Sequence, residues 1–385
     1  MTTSEPNSLP LDGITVVSME QAVAAPFATR QLADLGARVI KIERAEGDFA
    51  RNYDETVNGM ASYFVWLNRG KESVVLDLKS EQGKEVMREL MKEADVLVQN
   101  LAPGAAERLG LGAEALQEIN PQLIHVSISG YGMGGSYTKR KAYDLLIQCE
   151  SGLLSVTGTP EAPAKVGVSV ADISAGMYAY SGILAALIQR GKTGKGQVLD
   201  ISMLESLGEW VQQTYFFAEY GGKAPRRAGA SHASIAPYGP FQTSEGTVFL
   251  GIQNEREWQL FCDQVIERPD MAQDPRFTPN ARRVENREEL DDIIAETTST
   301  LSTEELQARL DAVGIANAQL RDMHGFSAHP QLAERNRWRD VETPAGPVRS
   351  MMPPATLQGT EPAMKPVPAL GEHTDAVIKE FLREA

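Results

Sequence analysis

Along the first 130 residues, short β-branched apolar runs alternate with stretches of helical periodicity. ITVVSM (14–19), RVIKIE (38–43), SVVLDL (73–78), DVLVQN (95–100) and LIHVSISG (123–130) read as buried strands. PFATRQLADLGA (26–37), with Phe27, Leu32 and Leu35 apolar, and SEQGKEVMRELMKEA (80–94), with Ser80 placed to cap it, read as helices. This alternation predicts parallel strands joined by crossovers, hence an α/β, Rossmann-like doubly wound sheet. Further on, Asp172 opens a helix whose Ala175, Gly176, Ala179, Gly182, Ala185 and Ala186 are small at helical spacing. GKTGKGQ (191–197) stops that helix. QVLDISML (197–204) predicts one more strand and ESLGEWVQQTYFFAEY a long helical stretch. GGKAPRRAGASHAS (221–234) reads as a loop, and TVFLGIQ (247–253) opens a smaller mixed domain with helices near 255–267, 286–299 and 303–313. Frequent prolines from about 329 to 371 predict an extended path, and HTDAVIKEFLREA (373–385) a closing helix.

Composition narrows the class. A chain of 385 residues with 42% hydrophobic and 23% charged residues has apolar material for a sizeable core and exceeds the usual single-core size. The N-terminus MTTSEPNSLP lacks a basic start followed by an apolar run, so it does not read as a signal peptide. No apolar stretch is expected to span a membrane; the best, Ile183–Ile188, is short. Cys149 and Cys262 are the only cysteines and carry no metal-ligand spacing, which fits a reducing cytoplasm. The net charge of −15 argues against nucleic acid or an anionic membrane as partner, while allowing a local basic pocket.

Ligands of an open parallel sheet lie beyond the carboxyl ends of its strands. Glu20, Gln21, Ala22, Val23 and Ala24 follow the first predicted strand there, and Arg44 the second. Lys79 follows the third, with Asn68–Lys71 just before it; Asn100 and Arg108 follow the fourth; Ser129–Gly132 and then Lys139, Arg140 and Lys141 follow the fifth. A rim of Arg and Lys at strand ends of an acidic protein suggests a polyanionic ligand with several phosphates, although each cation singly is as readily a solvated surface group. A nicotinamide dinucleotide does not fit, because MEQAVAAP lacks the GxGxxG through which backbone approaches a pyrophosphate. No phosphate loop of the GxxxxGK[ST] type is present.

Asp172 has two readings. A bare Asp before a helix is most often a cap. An ionised carboxylate beside a thioester is also a nucleophile that can expel the thiolate. Spacing does not choose between them.

LDGITVVSMEQAVAAPFATRQLADLGARVIKIER (11–44), LDLKSEQGK (76–84), ADVLVQNLAPGAAERLGL (94–111), NPQLIHVSISGYG (120–132), ADISAGMYAYSGILAAL (171–187), KTGKGQVLDISMLES (192–206) and LGEHTDAVIKEFL (370–382) together resemble the class III, formyl-CoA transferase-like CoA-transferases over nearly the whole chain. The resemblance implies that Asp172 attacks an acyl-CoA thioester to give a mixed anhydride. An incoming carboxylate then displaces the first acyl group, and CoA returns through an aspartyl thioester. It implies CoA contacts at Ala22, Val23, Ala24, Arg44, Leu76, Lys79, Asn100, Leu101, Arg108 and Lys141. Gln21, Tyr131, Tyr143, Asp144, Gln148 and His232 are the candidates for the acyl and acceptor end, with a surface loop as the other reading of His232. No metal and no tightly bound cofactor are implied; CoA and acyl-CoA are substrates. The implied domains are 1–203 (large, CoA-binding), 204–226 (linker), 227–325 (small), 326–345 (second linker) and 346–385 (returning to the large domain), with two chains interlocked as a homodimer.

Two departures qualify the resemblance. The related α-methylacyl-CoA racemases place a His before the first acid, where this chain has Tyr143, a poor base at neutral pH. Formyl-CoA transferase itself closes a run of glycines over the aspartate, whereas AGASHASIAPYGPF (228–241) has none, which points away from formate and oxalate. The expected activity is CoA transfer to a short carboxylic acid such as succinate, itaconate, mesaconate or citramalate. A racemase, a non-catalytic CoA-binding protein and, below both, a dehydrogenase are the alternatives. His125, His324, His329 and His373 show no metal spacing and read as structural.

Overall fold

A computed structural model describes residues 9–382; the expectations for residues 1–8 and 383–385 lie outside it. The chain divides into two compact units: residues up to Ser151, Val166–Val211 and from Ala333 on form one, Gly152–Lys165 and Gln212–Leu332 the other.

The first unit is built on six parallel strands in the order β3-β2-β1-β4-β5-β6. They are β1 (Thr15–Met19), β2 (Arg38–Glu43), β3 (Lys71–Val75), β4 (Val96–Gln99), β5 (Ile124–Ser129) and β6 (Val198–Ser202). Val16, Val17, Val39, Ile40, Val96, Leu97, Val98, Ile124 and Val126 are all buried, as strands covered on both faces require. Helices α1 (Ala24–Asp34), α2 (Ser62–Asn68), α3 (Glu81–Glu93), α4 (Asp144–Glu150), α5 (Val170–Thr193) and α6 (Met203–Trp210) complete the part that positions the site. Ser80 caps α3 by accepting from the Gly83 amide at 3.0 Å.

Several sequence expectations are corrected here. β3 starts at Lys71 and ends at Val75, not at 73–78, because Asp77 turns the chain: its carbonyl accepts from Ser80 N and its side chain from Lys79 N. The region from 329 to 371 is not simply extended. It carries a short helix, Pro330–Glu334, and an antiparallel hairpin, Trp338–Val341 with Val348–Met351. Residues 204–211 belong to the first unit, since α6 follows directly on β6 with the Ser202 hydroxyl capping it. The closing helix runs Thr374–Phe381 and covers the free edge of β3, where His373 N bonds Ser73 O and Val75 N bonds the Thr374 hydroxyl.

Helix α5 decides the geometry of the site. It joins β5 to β6, which run parallel, so it travels back along the sheet and its first turn lies at the carboxyl ends of the strands. Arg190, near its other end, pairs with Asp95 at the start of β4 at 2.8 Å. By length and composition α5 could cross a membrane, with mean hydropathy 1.3, contrary to the expectation that no stretch approaches that length. Its apolar stripe of Ala171, Ala175, Ala179, Ile183 and Ala186 is instead buried within this unit, where α5 packs on α1. Gly176 permits the approach: a Cβ there would stand 2.6 Å from the Ala24 carbonyl oxygen and 3.0 Å from the Phe27 ring.

The second unit packs a three-stranded antiparallel sheet, β7 (Tyr238–Gln242), β8 (Thr247–Gly251) and β9 (Ala316–Gln319) in that order, against helices. Helix α7 (Gln212–Gly221) precedes the sheet, and α8 (Arg287–Thr298) and α9 (Thr303–Ala312) lie between β8 and β9. Its core holds Phe241, Leu250, Trp258, Phe261, Phe277, Leu290 and Leu306. The sheet opens one strand earlier than TVFLGIQ, and the helix expected over 255–267 is Glu255–Leu260 continued by a π turn, Phe261–Val265. Residues 152–165, expected in the large domain, belong to this unit. Arg227 donates to the Thr159 and Pro160 carbonyls at 2.8 and 2.9 Å, and Gly229 N to Gly158 O at 2.8 Å.

Gly176→Ala is expected to force α5 off α1, because the atom in its way is backbone and cannot rotate aside. A loss of about 1–3 kcal/mol in thermal or denaturant unfolding checks it.

Candidate active site

The cap of α5 is not Asp172. Ser169 occupies the N-cap and makes no side-chain capping bond; its hydroxyl lies 3.1 Å from the Tyr63 hydroxyl. The first-turn amide of Ala171 instead donates to Asp144 Oδ1 at 2.8 Å. Gln148, one turn along α4 and fully buried, fixes the other oxygen, its Nε2 donating to Asp144 Oδ2 at 2.6 Å, while its Oε1 accepts from Val166 N at 3.0 Å. Asp144 and Gln148, expected at the acyl end, are thus engaged in holding the start of α5. Asp172 has no hydrogen-bond or ion-pair partner among the described residues. Burial first, and then the charge of Asp144, push its carboxyl from the ordinary 3.8 up to about 7. The helix dipole works the other way, but at about 0.3–1 kcal/mol it is the smaller effect.

The turn after β1 is gripped from both neighbouring strands. Asn100, after β4, accepts from Gln21 N and donates to Gln21 O, both at 2.9 Å. Asp48, in the loop after β2, accepts from Ala22 N at 3.1 Å. Between these holds Ala22 sits at φ 61°, a left-handed conformation that costs a residue with a Cβ about 1–3 kcal/mol. Val23 and Ala24 follow, both buried at the start of α1.

Beneath the turn lies a buried, charge-balanced cluster. Lys71 Nζ meets Glu20 Oε1 at 2.5 Å, and Lys41 Nζ meets Asp48 Oδ2 at 2.7 Å. Both lysines also donate to Asn68 Oδ1, and the Thr29 hydroxyl donates to Glu20. Burial pulls the Lys71 ammonium well below its ordinary value against the attraction of Glu20. Arg69 is buried too, with Asp34. Asn68–Lys71 therefore do not belong to the strand-end rim in which the sequence placed them, because Asn68, Arg69 and Lys71 are committed inside the fold, while Glu20 reaches the cavity wall with its carboxylate already paired.

A cavity of about 550 Å³ opens beside this turn, across the carboxyl ends of β1, β2 and β3. Of the expected contacts it is lined by Gln21, Arg44, Leu76, Lys79 and Leu101; Ala22, Val23, Ala24, Asn100, Arg108 and Lys141 are off its wall. Arg44 and Lys79 are exposed, and neither has a carboxylate within ion-pair reach among the described residues. Arg108 and Lys141 are exposed and unpaired in the same sense. Ile42, Leu78 and Leu109 supply apolar wall. Free cations beside apolar surface, beyond the carboxyl ends of β2 and β3, suit a phosphate-bearing ligand with an aromatic base.

The remaining candidates are scattered. Tyr131 packs edge-on against Tyr137, over which the Arg140 guanidinium lies at 3.8 Å. Tyr143 is 67% exposed at the N-cap of α4. His232 belongs to the second unit, where its ring stacks on Tyr238 at 5.2 Å and its Nδ1 accepts from Ser234 N. Sequence reasoning missed Tyr53, whose hydroxyl is pushed up to about 12 by partial burial, then by the charges of Asp48 and Asp172. It also missed Tyr63, against which Tyr53 packs edge-on at 5.8 Å. No group of three His, Cys, Asp or Glu among the described residues could hold a metal.

Residues 11–374 match the family described as CoA-transferase family III. The chain belongs to that family. It is 34% identical to the succinyl-CoA:glutarate CoA-transferase of Homo sapiens, over 98% of this chain and 87% of the relative. It is 36% identical to the acetyl-CoA:oxalate CoA-transferase of Acetobacter aceti, over 97% and 96%. A crystal structure of a CAIB/BAIF family protein from Brucella suis superposes with a TM-score of 0.86 at 34% identity, covering 97% of this chain and all of that one. As a family III CoA-transferase the protein is an acyl-CoA:carboxylate transferase, and the readings as a dehydrogenase or a non-catalytic binder fall away.

In this CoA-transferase the raised Asp172 value has a stability consequence. The folded protein keeps a proton that the unfolded chain gives up near 3.8, so stability is full below about pH 4 and is lost as pH rises to about 7. Asp172→Asn escapes that loss. Its unfolding free energy is expected to exceed that of the wild type by about 1–3 kcal/mol at pH 8 and by less at pH 5, read by thermal melts at both. Asp144→Ala is expected to lose about 1 kcal/mol through the cap.

Proposed function

We propose that the protein moves CoA from a short acyl-CoA, succinyl-CoA first, to a second short dicarboxylic acid by covalent catalysis on Asp172. The carrying observation is a first-turn carboxylate left without a partner because Asp144 caps its helix. The reading is supported by the cavity with free cations at the same strand ends and by the dicarboxylic acids that the relatives' names contain. The ionised Asp172 oxygen attacks the thioester carbonyl; the C–S bond breaks, leaving a mixed anhydride and the CoA thiolate. The thiolate attacks the aspartyl carbonyl, releasing the first acid and forming an aspartyl-CoA thioester. The acceptor carboxylate attacks that thioester in turn, and the released thiolate takes the new acyl group, restoring Asp172. Each step exchanges one acyl bond for another, and water must be kept from the two activated aspartyl species.

In this reading Arg44 and Lys79 meet the phosphates of CoA, and the turn Gln21–Ala24 with Leu76 and Leu101 lines its path. Asn100, Arg108 and Lys141 extend it, while Tyr131 and Tyr143 serve the acyl and acceptor end; His232, in the second unit, remains a candidate for the acceptor. A racemase would need a base at position 143 paired with an acid; Tyr143 offers none, and both Asp144 oxygens are taken up by Ala171 N and Gln148. Exposed apolar side chains on α4 (Leu145, Leu146), α5 (Met177, Ile188) and α6 (Trp210), and on α7, none of whose residues is buried, suit coverage by a second copy in an interlocked homodimer. Cys149 and Cys262, both free thiols, suit the cytoplasm.

Incubation with succinyl-CoA and a panel of acids (glutarate, mesaconate, citramalate, itaconate, oxalate) should yield new CoA thioesters by mass spectrometry. Asp172→Ala should abolish them, and hydroxylamine should trap the label at Asp172. No exchange across the panel, or deuterium uptake at the α-carbon without an acceptor, would overturn the reading. Because only the carboxylate is nucleophilic, kcat/KM should rise with pH through about 7, and Asp144→Asn, which keeps an acceptor for Ala171 N but removes the charge, should move that limb to lower pH.

A further inference from the structure

Asn100 and Asp48 capture two consecutive main-chain amides, Gln21 N and Ala22 N, from the strands on either side of β1. We infer that the two side chains act as positioning residues for the turn that meets the acyl-CoA, imposing on Ala22 a left-handed conformation it would not hold alone; this rests on the function proposed above. Asp48 is itself held on every side. It is 2% exposed; Oδ1 also accepts from Ala50 N at 2.9 Å, Oδ2 takes the Lys41 ammonium, and its own amide donates to Glu43 Oε2 at 2.9 Å. Glu43 is fixed in turn by Arg51 at 2.7 Å and by the Ser73 hydroxyl at 2.6 Å. The carboxylate thus has no freedom to follow Ala22 if the turn relaxes. A glycine at position 22 would reach the same backbone unaided. An alanine there makes the shape of the turn depend on the buried ions, and that dependence is what the inference adds.

The expected consequence is kinetic as well as structural. Asp48→Asn removes the charge facing Lys41, and Asn100→Ala, at a half-buried site that tolerates truncation, opens the other side. Each should lower kcat/KM for succinyl-CoA on the order of tenfold to a hundredfold, the range set by misplacing a reacting group by about 1 Å. Each should also weaken CoA binding in calorimetry. Adding Ala22→Gly to either variant should restore at least tenfold of kcat/KM and the CoA affinity, without restoring the lost melting temperature. Recovery of turnover without recovery of stability separates positioning from bulk folding. If Ala22→Gly rescues neither variant, or if Asn100→Ala folds and turns over like wild type, the inference fails. If wild type binds CoA and transfers nothing, the role of Asp172 fails instead, and the CoA affinities of the four variants still decide the role of the turn.

Discussion

The capture of the Ala171 amide by Asp144 is the bond on which the start of helix α5, and with it the proposed role of Asp172, depends. A helix start needs partners for its free amides, and a Ser, Thr, Asp or Asn at the N-cap is the usual supplier. Here the acid comes from another helix, 27 positions earlier, and arrives with its second oxygen tied to Gln148. Two results follow together. Helix α5 begins in a fixed place at the carboxyl ends of the strands, and the acid in its own first turn is released from structural duty. The same Asp144 charge that secures the helix also makes Asp172 harder to ionise. Asp144 thus both fixes the position of the carboxylate and adds to the rise in its pKa, of which burial is the larger cause.

Charge is distributed in two layers around the sheet ends. In the inner layer Glu20, Lys41, Asp48 and Lys71 are buried and matched, two of each sign, so that no isolated charge is desolvated. In the outer layer Arg44, Lys79, Arg108 and Lys141 are solvated and have no acid to neutralise them. In a protein with a net charge of −15, two of these, Arg44 and Lys79, stand on the cavity wall.

The sheet was legible because its strands are covered on both faces, which leaves unbroken apolar runs such as Val16–Val17 in β1 and VLV in β4. The start of β3 was not, because Lys71 and Glu72 read as surface when Lys71 is in fact buried against Glu20. Burial of a paired charge has no local signature: its partner lies 51 positions away. For the same reason Asn68–Lys71 read as ligand contacts and Asp48 went unnoticed. The Asp144 cap escaped the local capping rule, although the i,i+4 spacing of Asp144 and Gln148 on one helix face was there to be read. Residues 152–165 gave no periodicity, and what ties them to the second unit is backbone carbonyls taken by a distant Arg227.

As the proposed nucleophile, Asp172, raised to about 7, is weaker as a standing anion than an ordinary aspartate, which would be ionised throughout the neutral range. The compensation lies in basicity. A carboxylate that holds its proton more tightly is a better nucleophile toward a thioester, and near pH 7 about half of it is ionised, so the loss in population is about twofold while the gain accrues to every attack. In the proposed cycle the same environment favours return: an acylated Asp172 would carry no charge, and the burial that opposes the anion would not oppose the adduct. Desolvation thus raises the free carboxylate relative to the aspartyl species, which flattens the path between two thioesters of similar energy. That follows from Asp172 having no hydrogen-bond donor of its own, and it would be forfeited by any substitution that supplied one.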